Sequence, residues 1–431
     1  MQDTTHQTSV KKQILFVHQN FPGQYRYLSR YFAEHDNWDA WAIGEKPCVL
    51  RQSHLVHKNI TMLGYDMPED IPENLPKNIS SRVRLFADNV TRADALERVL
   101  LRQKKQGLNP DIILAHPGWG EGLYLKEIFP DAKLVYFFEY YFSTVQHNVF
   151  FDPEIPDNLN QQIHYRMSNT ASLIGLDTAD VGVCPTQWQW STFPTEFQSK
   201  IKVIHDGVDT TVVKPQSVNE LKLKNNSQGD VTLHHNDEII SYSVRNLEPS
   251  RGFHRFMRIL PQLQQRRPQA RFVIVGGDEK SYSSKHPSGK TWREVMLDEV
   301  GDQLDMSRII FAGKIPYNKL LQLFSITSLH LYWTTPFVLS WSLMEAMACE
   351  APILASRTPP VEEMVKEGRN GCLFDFFSDE ECLEKAVELL DNPDLRTSLG
   401  QQARADIVQH YDLTACCLPQ HVALIEQMLA T

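Results

Sequence analysis

The sequence predicts an α/β protein made of two doubly wound domains in series. Three observations carry that prediction. The chain has 431 residues, too many for one ordinary core, so two domains of roughly 200 residues each are expected. Short β-branched and apolar runs alternate with longer helical patterns, as a parallel sheet covered on both faces requires. The alternation runs once, breaks at a polar, turn-rich stretch, and starts again.

The first series opens with QILFV at 13–17, a strand, and a helical pattern at 24–35. DAWAI (39–43), DIILA (111–115), KLVYFF (133–138), DVGVC (180–184) and IKVI (201–204) read as further buried strands. The second series holds IISYSV (239–244), RFVIV (271–275), RIIFA (308–312), SLHLY (328–332) and PILA (352–355), with helices between them. The break is DGVDTTVVKPQSVNELKLKNNSQGD, starting at Asp206. This reading gives a disordered tail at 1–12, a first domain at 13–208, a second at 209–405, and a C-terminal amphipathic helix within 406–431 that packs back on the first domain. Ligands of such sheets sit beyond the carboxyl ends of the strands. Two sheets facing a central cleft would place the active site there.

Composition excludes several classes. The net charge is −10, which argues against a general nucleic-acid binder. Seven cysteines are scattered without a C-x-x-C pair or a Cys/His cluster, so no zinc site is expected and free thiols in a reducing, cytoplasmic compartment are. No run of about 20 apolar residues occurs to span a membrane.

Two stretches carry the chemistry. SVRNLEPSRGFHRFMRILPQL (243–263) runs from a strand into a helix, with Arg245 and Arg251 six residues apart and Gly252 opening the helix. Guanidinium forks and helix N-terminal amides both favour phosphate oxygens, and a diphosphate fits best. The bland alternative is two surface arginines bridging to Glu248. TTPFVLSWSLMEAMACEAPILAS (334–356) holds one carboxylate, Glu345, in an apolar run that ends at a second, Glu350, with Phe337 eight residues before Glu345. The bland role for Glu345 is a carboxylate in the first turn of a helix.

The order Arg-x-x-Glu-Pro-x-Arg-Gly resembles the diphosphate-binding turn of family 4 glycosyltransferases of the GT-B fold, with two Rossmann-like domains. The resemblance extends to most of the chain. It implies that Arg245 and Arg251 grip the diphosphate of a nucleotide-sugar donor, with Arg251 standing where the family has lysine. The family's Glu-x7-Glu signature matches at its second glutamate, Glu345 in EAMACEAP, which implies a bond to the ribose hydroxyls. The first glutamate, which contacts the donor sugar, is replaced by Phe337. The resemblance also brings in the turn amides around Leu339 and Ser340, Gly277 in FVIVGGDEKSY, and Lys314 in RIIFAGKIPY as donor contacts. It implies a UDP- or GDP-sugar as donor substrate, no cofactor, no metal, and retention of anomeric configuration. HPSGKT (286–291) lacks the earlier glycine of a phosphate loop and is not read as one.

In the first domain FVHQNFPGQYRYLSR places a tight turn after a strand, with Gly23 and Gln24 as donor-side candidates and His18 and Arg26 as acceptor-side ones. DIILAHPGWGEGLYLKEIFPD ends a buried strand at His116. By the resemblance His116 lies beside the reacting sugar, with Glu121 and Glu139 on the acceptor side. Satisfied core or loop groups are the alternative for these residues. The basic run at 81–107 is expected to be a solvated helix, with weak peripheral contact at the inner membrane face as the competing reading. The expected function is transfer of a sugar to a saccharide, lipid-linked or other hydroxyl acceptor in cell-surface polysaccharide or glycoconjugate synthesis. The alternatives are an epimerase or phosphorylase on the same fold, and a non-catalytic sugar-nucleotide-binding subunit.

Overall fold

The computed structural model describes residues 11–68, 80–143, 151–155, 158–225, 229–283 and 286–430. Most of the polar tail expected at 1–12 lies outside these. Its last residue, Lys12, already begins a strand.

The chain forms two compact units. The first comprises Met1–Val145, Asp157–Asp206 and Cys417–Thr431. Its sheet holds β1 (Lys12–Val17), β2 (Trp38–Glu45), β3 (Thr61–Tyr65), β4 (Ile112–Ala115), β5 (Lys133–Phe137), β6 (Val181–Cys184) and β7 (Ile201–Val203). All pairs are parallel, in the order β3-β2-β1-β4-β5-β6-β7. Strands such as Ile112–Ala115 are buried at every residue, as strands covered on both faces must be. The sequence reading passed over β3. It lies at the sheet edge, carries a glycine and is mostly half-exposed, so it lacks the continuous apolar run that marks a central strand. The helix Leu418–Ala430 turns Val422, Ile425 and Met428 into this unit's core.

The second unit comprises Gln146–Pro156 and Gly207–Cys416. It thus runs on past 405, and it claims a short segment that precedes it in the chain. It opens with an antiparallel hairpin, β8 (Glu220–Asn225) with β9 (Gly229–His234). This hairpin lies in the stretch read as a linker, where ELKLKN alternates exposed and buried residues with a period of two. The main sheet holds β10 (Ile239–Asn246), β11 (Arg271–Gly277), β12 (Ile309–Gly313), β13 (Leu329–Tyr332), β14 (Ile353–Ser356) and the short edge strand β15 (Cys372–Phe374). All are parallel, in the order β12-β11-β10-β13-β14-β15.

Both sheets reverse their strand order once, between β1 and β4 in the first unit and between β10 and β13 in the second. At such a point the connections leave towards opposite faces and open a crevice at the carboxyl ends. The described segment 151–155 is fastened to the second unit's own helix Phe253–Arg266. Asp152 pairs with His254 at 2.8 Å, and Glu154 with Arg255 at 2.7 Å and with Arg258.

One backbone position is critical. Gly252 has φ +65°, and a Cβ added there would lie 2.2 Å from Cβ of the buried Trp333. Gly252→Ala is therefore expected to cost about 1–3 kcal/mol of stability, from left-handed backbone strain and overpacking. Urea unfolding followed by circular dichroism measures it.

Candidate active site

In the second unit, β10 leaves the sheet at the reversal and delivers Arg245, exposed, next to the buried Asn246. The chain then makes a single 3-10 turn, Pro249–Arg251, and enters the helix Phe253–Arg266 through Gly252. Three bonds pin this turn to the core and across the reversal. The Tyr242 hydroxyl donates to the Arg251 carbonyl at 2.6 Å, the Thr335 amide donates to the Ser250 carbonyl at 2.9 Å, and Arg251 Nη1 donates to Thr334 Oγ1 at 2.8 Å.

Glu248 is 2% exposed and forms no ion pair with either arginine among the described residues. Its carboxylate instead accepts from the amides of Tyr282 at 3.1 Å and Ser283 at 2.9 Å, and from the Ser281 hydroxyl. The glutamate of the motif is thus a loop clamp, which corrects the alternative of surface arginines bridging to it. The clamp sets the Tyr282 ring 5.4 Å from the Arg251 guanidinium, and the Phe337 ring lies 5.9 Å from it. The two rings are 4.9 Å apart. Arg251 is 6% exposed, and no carboxylate of a described residue comes within ion-pairing distance. A buried cation with hydroxyl and aromatic neighbours and no counter-ion is well placed to receive an anion.

Along the same strand ends, Gly277 leaves room that a side chain would fill. A Cβ there would stand 2.6 Å from Asn246 Oδ1 and from Lys314 Cε. Lys314, exposed, pairs with Glu279, whose carboxyl is held below its ordinary range by Lys314 first and by Arg245 to a lesser degree. Arg245, Gly277 and Lys314 therefore come together at the carboxyl ends of β10, β11 and β12.

Glu345 lies in the helix Trp341–Ala348, whose first turn has no acid. It sits in the second turn, so the capping reading fails. Ser340 is the cap, its hydroxyl accepting from the Ser342 amide at 3.2 Å. The Ser340 amide donates to the Tyr332 hydroxyl at 3.2 Å, and Leu339 packs into the core. The polar groups of Ser340 are thus engaged within the protein, and the ligand-facing turn expected there is partly committed. Burial pushes the Glu345 carboxyl above its ordinary range, opposed by a hydrogen bond from the Tyr317 hydroxyl at 2.7 Å.

In the first unit, His18 follows β1 and His116 follows β4, so both stand at the strand reversal. Their rings meet edge to face at 5.7 Å, and Trp119 stacks on His116 at 4.2 Å. Burial, helped by His116, pushes the His18 pKa down to about 3, with Gln24 opposing. His18 is therefore a neutral ring at physiological pH. Gly23 has φ +46° and a Cβ there would strike the His18 ring at 2.6 Å. Glu139 approaches His116 Nε2 to 3.8 Å from a half-exposed position. Arg26 points outward over Tyr27.

Glu121 is elsewhere in character. It is 1% exposed, accepts from the Tyr65 hydroxyl at 2.7 Å and lies 3.8 Å from Arg92. Burial raises its pKa, with Arg92 opposing. It forms part of an internal polar network, and its alternative as a satisfied core group fits this surrounding. In the helix Ser81–Lys104, Arg92 turns inward, while Lys104 stays exposed and reaches the Ile128 carbonyl. No helix among the described residues is long and apolar enough to cross a membrane. None of the seven cysteines forms a disulfide.

Among the described residues one group has the spacing for a cation, Asp152, Glu154 and His254. Its members are already spent on each other and on Arg255 and Arg258. HPSGKT is a helix start, Thr291 capping Trp292–Val300 through a reciprocal box with Glu294. Reading the sequence alone missed Thr334, Tyr282 and Tyr317, which act through long-range contacts with no local motif.

Two parallel doubly wound units, each reversing its strand order once, are the architecture of the GT-B fold. Residues 39–213 match the model of the glycosyl transferase family 4 group, and residues 225–406 match that of glycosyl transferases group 1. The chain belongs to the GT-B glycosyltransferases of family 4. It is 25% identical over 231 residues to spore coat protein SA of Bacillus subtilis, covering 51% of this chain and 57% of that protein. It is also 25% identical over 235 residues to D-inositol 3-phosphate glycosyltransferase of Corynebacterium glutamicum, covering 53% of each. The chain spans little more than half the length of these curated relatives. Sucrose-phosphate synthase of Thermosynechococcus elongatus superposes with a TM-score of 0.70 at 15% identity, covering 97% of this chain and 100% of that one. Anabaena HepE in complex with UDP and glucose gives 0.64 at 16% identity, with the same coverage.

The Glu248 clamp has a direct test. Glu248→Ala leaves buried amides unpaired, and is expected to cost about 1–3 kcal/mol. Hydrogen exchange should quicken selectively at residues 281–283.

Proposed function

We propose that this chain is a retaining, metal-independent glycosyltransferase that moves a sugar from a nucleoside-diphosphate-sugar to a hydroxyl acceptor. The observation that carries the reading is Arg251, a nearly buried guanidinium with no carboxylate partner among the described residues, beside a helix N-terminus at a strand reversal. A donor diphosphate supplies the missing negative charge. Arg251, Arg245 and the helix amides then stabilise the charge that grows on the leaving diphosphate, as preorganised donors do. Glu345 receives the ribose hydroxyls, and Gly277 and Lys314 line the donor's path. HepE, whose fold is similar, was crystallised with UDP-glucose, which supports a UDP-sugar, with a GDP-sugar as the other candidate.

On the first unit, Gly23, Gln24, His18, His116 and Glu139 gather at the strand reversal and form the candidate surface for a sugar. A saccharide or lipid-linked acceptor accords with a role in polysaccharide or glycoconjugate synthesis, in the cytoplasm or at the inner membrane face. The leaving phosphate oxygen takes the acceptor's proton, so no dedicated base is required.

Phe337 favours a second reading. It occupies the place of the sugar-contacting glutamate and packs against Tyr282, as a non-catalytic sugar-nucleotide-binding subunit would allow. Donor hydrolysis by the purified chain removes that reading, and its absence with every donor supports it.

Arg245→Ala is expected to weaken nucleoside-diphosphate binding by about 1.5–3 kcal/mol, as for a lost charge-assisted bond. Isothermal calorimetry giving unchanged affinity for every nucleotide would sink the assignment. A second expectation concerns pH. Glu345 accepts ribose hydroxyls best when ionised, and burial raises its pKa. Affinity for UDP-glucose should therefore fall with decreasing pH, starting above the range of an ordinary carboxylate, and Glu345→Gln should flatten that limb. UDP-glucose serves better than UDP because its phosphates do not titrate there.

A further inference from the structure

Glu345 is a flexible side chain with three rotatable bonds on the second turn of the helix Trp341–Ala348. A ribose contact requires its carboxylate to hold one orientation before the nucleotide arrives. Nothing on its own helix supplies this. The adjoining helix Tyr317–Ile326 begins four residues after β12, and its first residue is Tyr317. The Tyr317 ring is 48% exposed, which is too much for a core residue. Its hydroxyl nevertheless donates to Glu345 Oε1 at 2.7 Å across 28 residues of sequence.

We propose that Tyr317 is a positioning residue for nucleotide recognition, holding the Glu345 carboxylate by Oε1 so that Oε2 is presented to the ribose. The proposal rests on the reading of Glu345 as the ribose contact.

The surroundings of Glu345 leave the task to Tyr317. Among the described residues no lysine, arginine or histidine pairs with Glu345, so no cation fixes its orientation. The Cys349 thiol lies one turn further along the helix and is turned to the Lys214 carbonyl at 3.6 Å. It is buried and protonated, its pKa pushed up to about 12. A phenol suits the task physically. It is neutral, so it neutralises none of the charge that a ribose hydroxyl meets. It is rigid, with two side-chain torsions, so little freedom is lost on fixing it. A carboxylate has about four lone-pair sites, so one bond to Tyr317 leaves acceptor capacity for a ligand. Pro316 caps the helix start in an extended conformation, and Gly313 turns the chain at φ +63°. Both fix where Tyr317 stands. The link also ties the ribose carboxylate to the loop that carries Lys314, so two donor contacts share one support.

The test compares ribonucleotides with their 2′-deoxy counterparts by calorimetry, using UDP with dUDP and GDP with dGDP on the full chain. Wild-type protein is expected to prefer the ribonucleotide by about tenfold, the range of one hydrogen bond. Glu345→Gln should erase most of that preference. Tyr317→Phe should lower it several-fold while leaving deoxynucleotide affinity unchanged, and the double variant should be no worse than Glu345→Gln alone. Tyr317→Phe weakening both nucleotides equally, or preserving the preference, overturns the proposal while the ribose reading stands. Glu345→Gln leaving the preference intact overturns the ribose reading itself, and the proposal with it. Thermal melts of both variants guard against misfolding, and because Tyr317 is half-exposed the phenylalanine variant should melt with wild-type protein.

Discussion

The second unit of this molecule is organised around one costly placement, a guanidinium set almost out of water with no carboxylate of a described residue to answer it. Removing a charge from solvent is unfavourable by several kcal/mol unless neighbours compensate. Arg251 is compensated by Thr334, by two aromatic faces, and by a turn that is itself stitched to Tyr242 and Thr335. Remove any of these supports and the side chain has somewhere cheaper to go. Gly252 in that turn admits no side chain because Trp333 packs against it, and Glu248 is spent on backbone amides although arginines stand on either side of it in sequence. The surroundings leave the positive charge uncancelled and the fork immobile. A site for a polyanion needs both properties.

The two units solve the same placement problem with different chemistry. Each sheet reverses its order beside its first central strand, and each sets side chains of note at that reversal. The second unit puts cations and amides there. The first puts imidazoles and an indole there, with His18 kept neutral by burial and His116 stacked on Trp119. An aromatic surface suits the face of a sugar ring, whereas a fork of N–H donors suits phosphate. The difference in character between the two reversals thus follows from residue type at topologically equivalent positions.

Much of this was legible in the residues. The central strands of both sheets announce themselves as continuous apolar runs because both of their faces are covered. Edge strands such as Thr61–Tyr65 and Cys372–Phe374 have one flank open, so their patterning is weak. The hairpin Glu220–His234 hid in a stretch rich in lysine and asparagine, because only every second residue of its first strand faces inward. At the site, Arg245, Arg251 and Glu345 could be found from local order, since each belongs to a turn that a short motif specifies. Thr334, Tyr282 and Tyr317 could not, because their contacts join residues far apart in the chain. The role of Glu248 was misread for the same reason: nearby arginines suggested an ion pair, whereas its true partners are amides more than thirty residues away. Glu121 was singled out by its place after a strand, but its burial beside Tyr65 and Arg92 depends on two other elements.

The second unit is not a contiguous length of chain. Residues 151–155 come from the connection that follows β5, yet they supply the phenylalanine that packs on Phe376 and Phe377 and the acids that answer His254, Arg255 and Arg258. Those basic residues occupy the first turns of the helix that follows Gly252. A gene fragment beginning at Gly207 would therefore encode the whole main sheet and still lack the acid that meets the buried His254 and the one that Arg255 and Arg258 share in addition to Asp379 and Glu299. The second unit can be inherited, recombined or excised intact only together with a few residues from the middle of the first unit's chain.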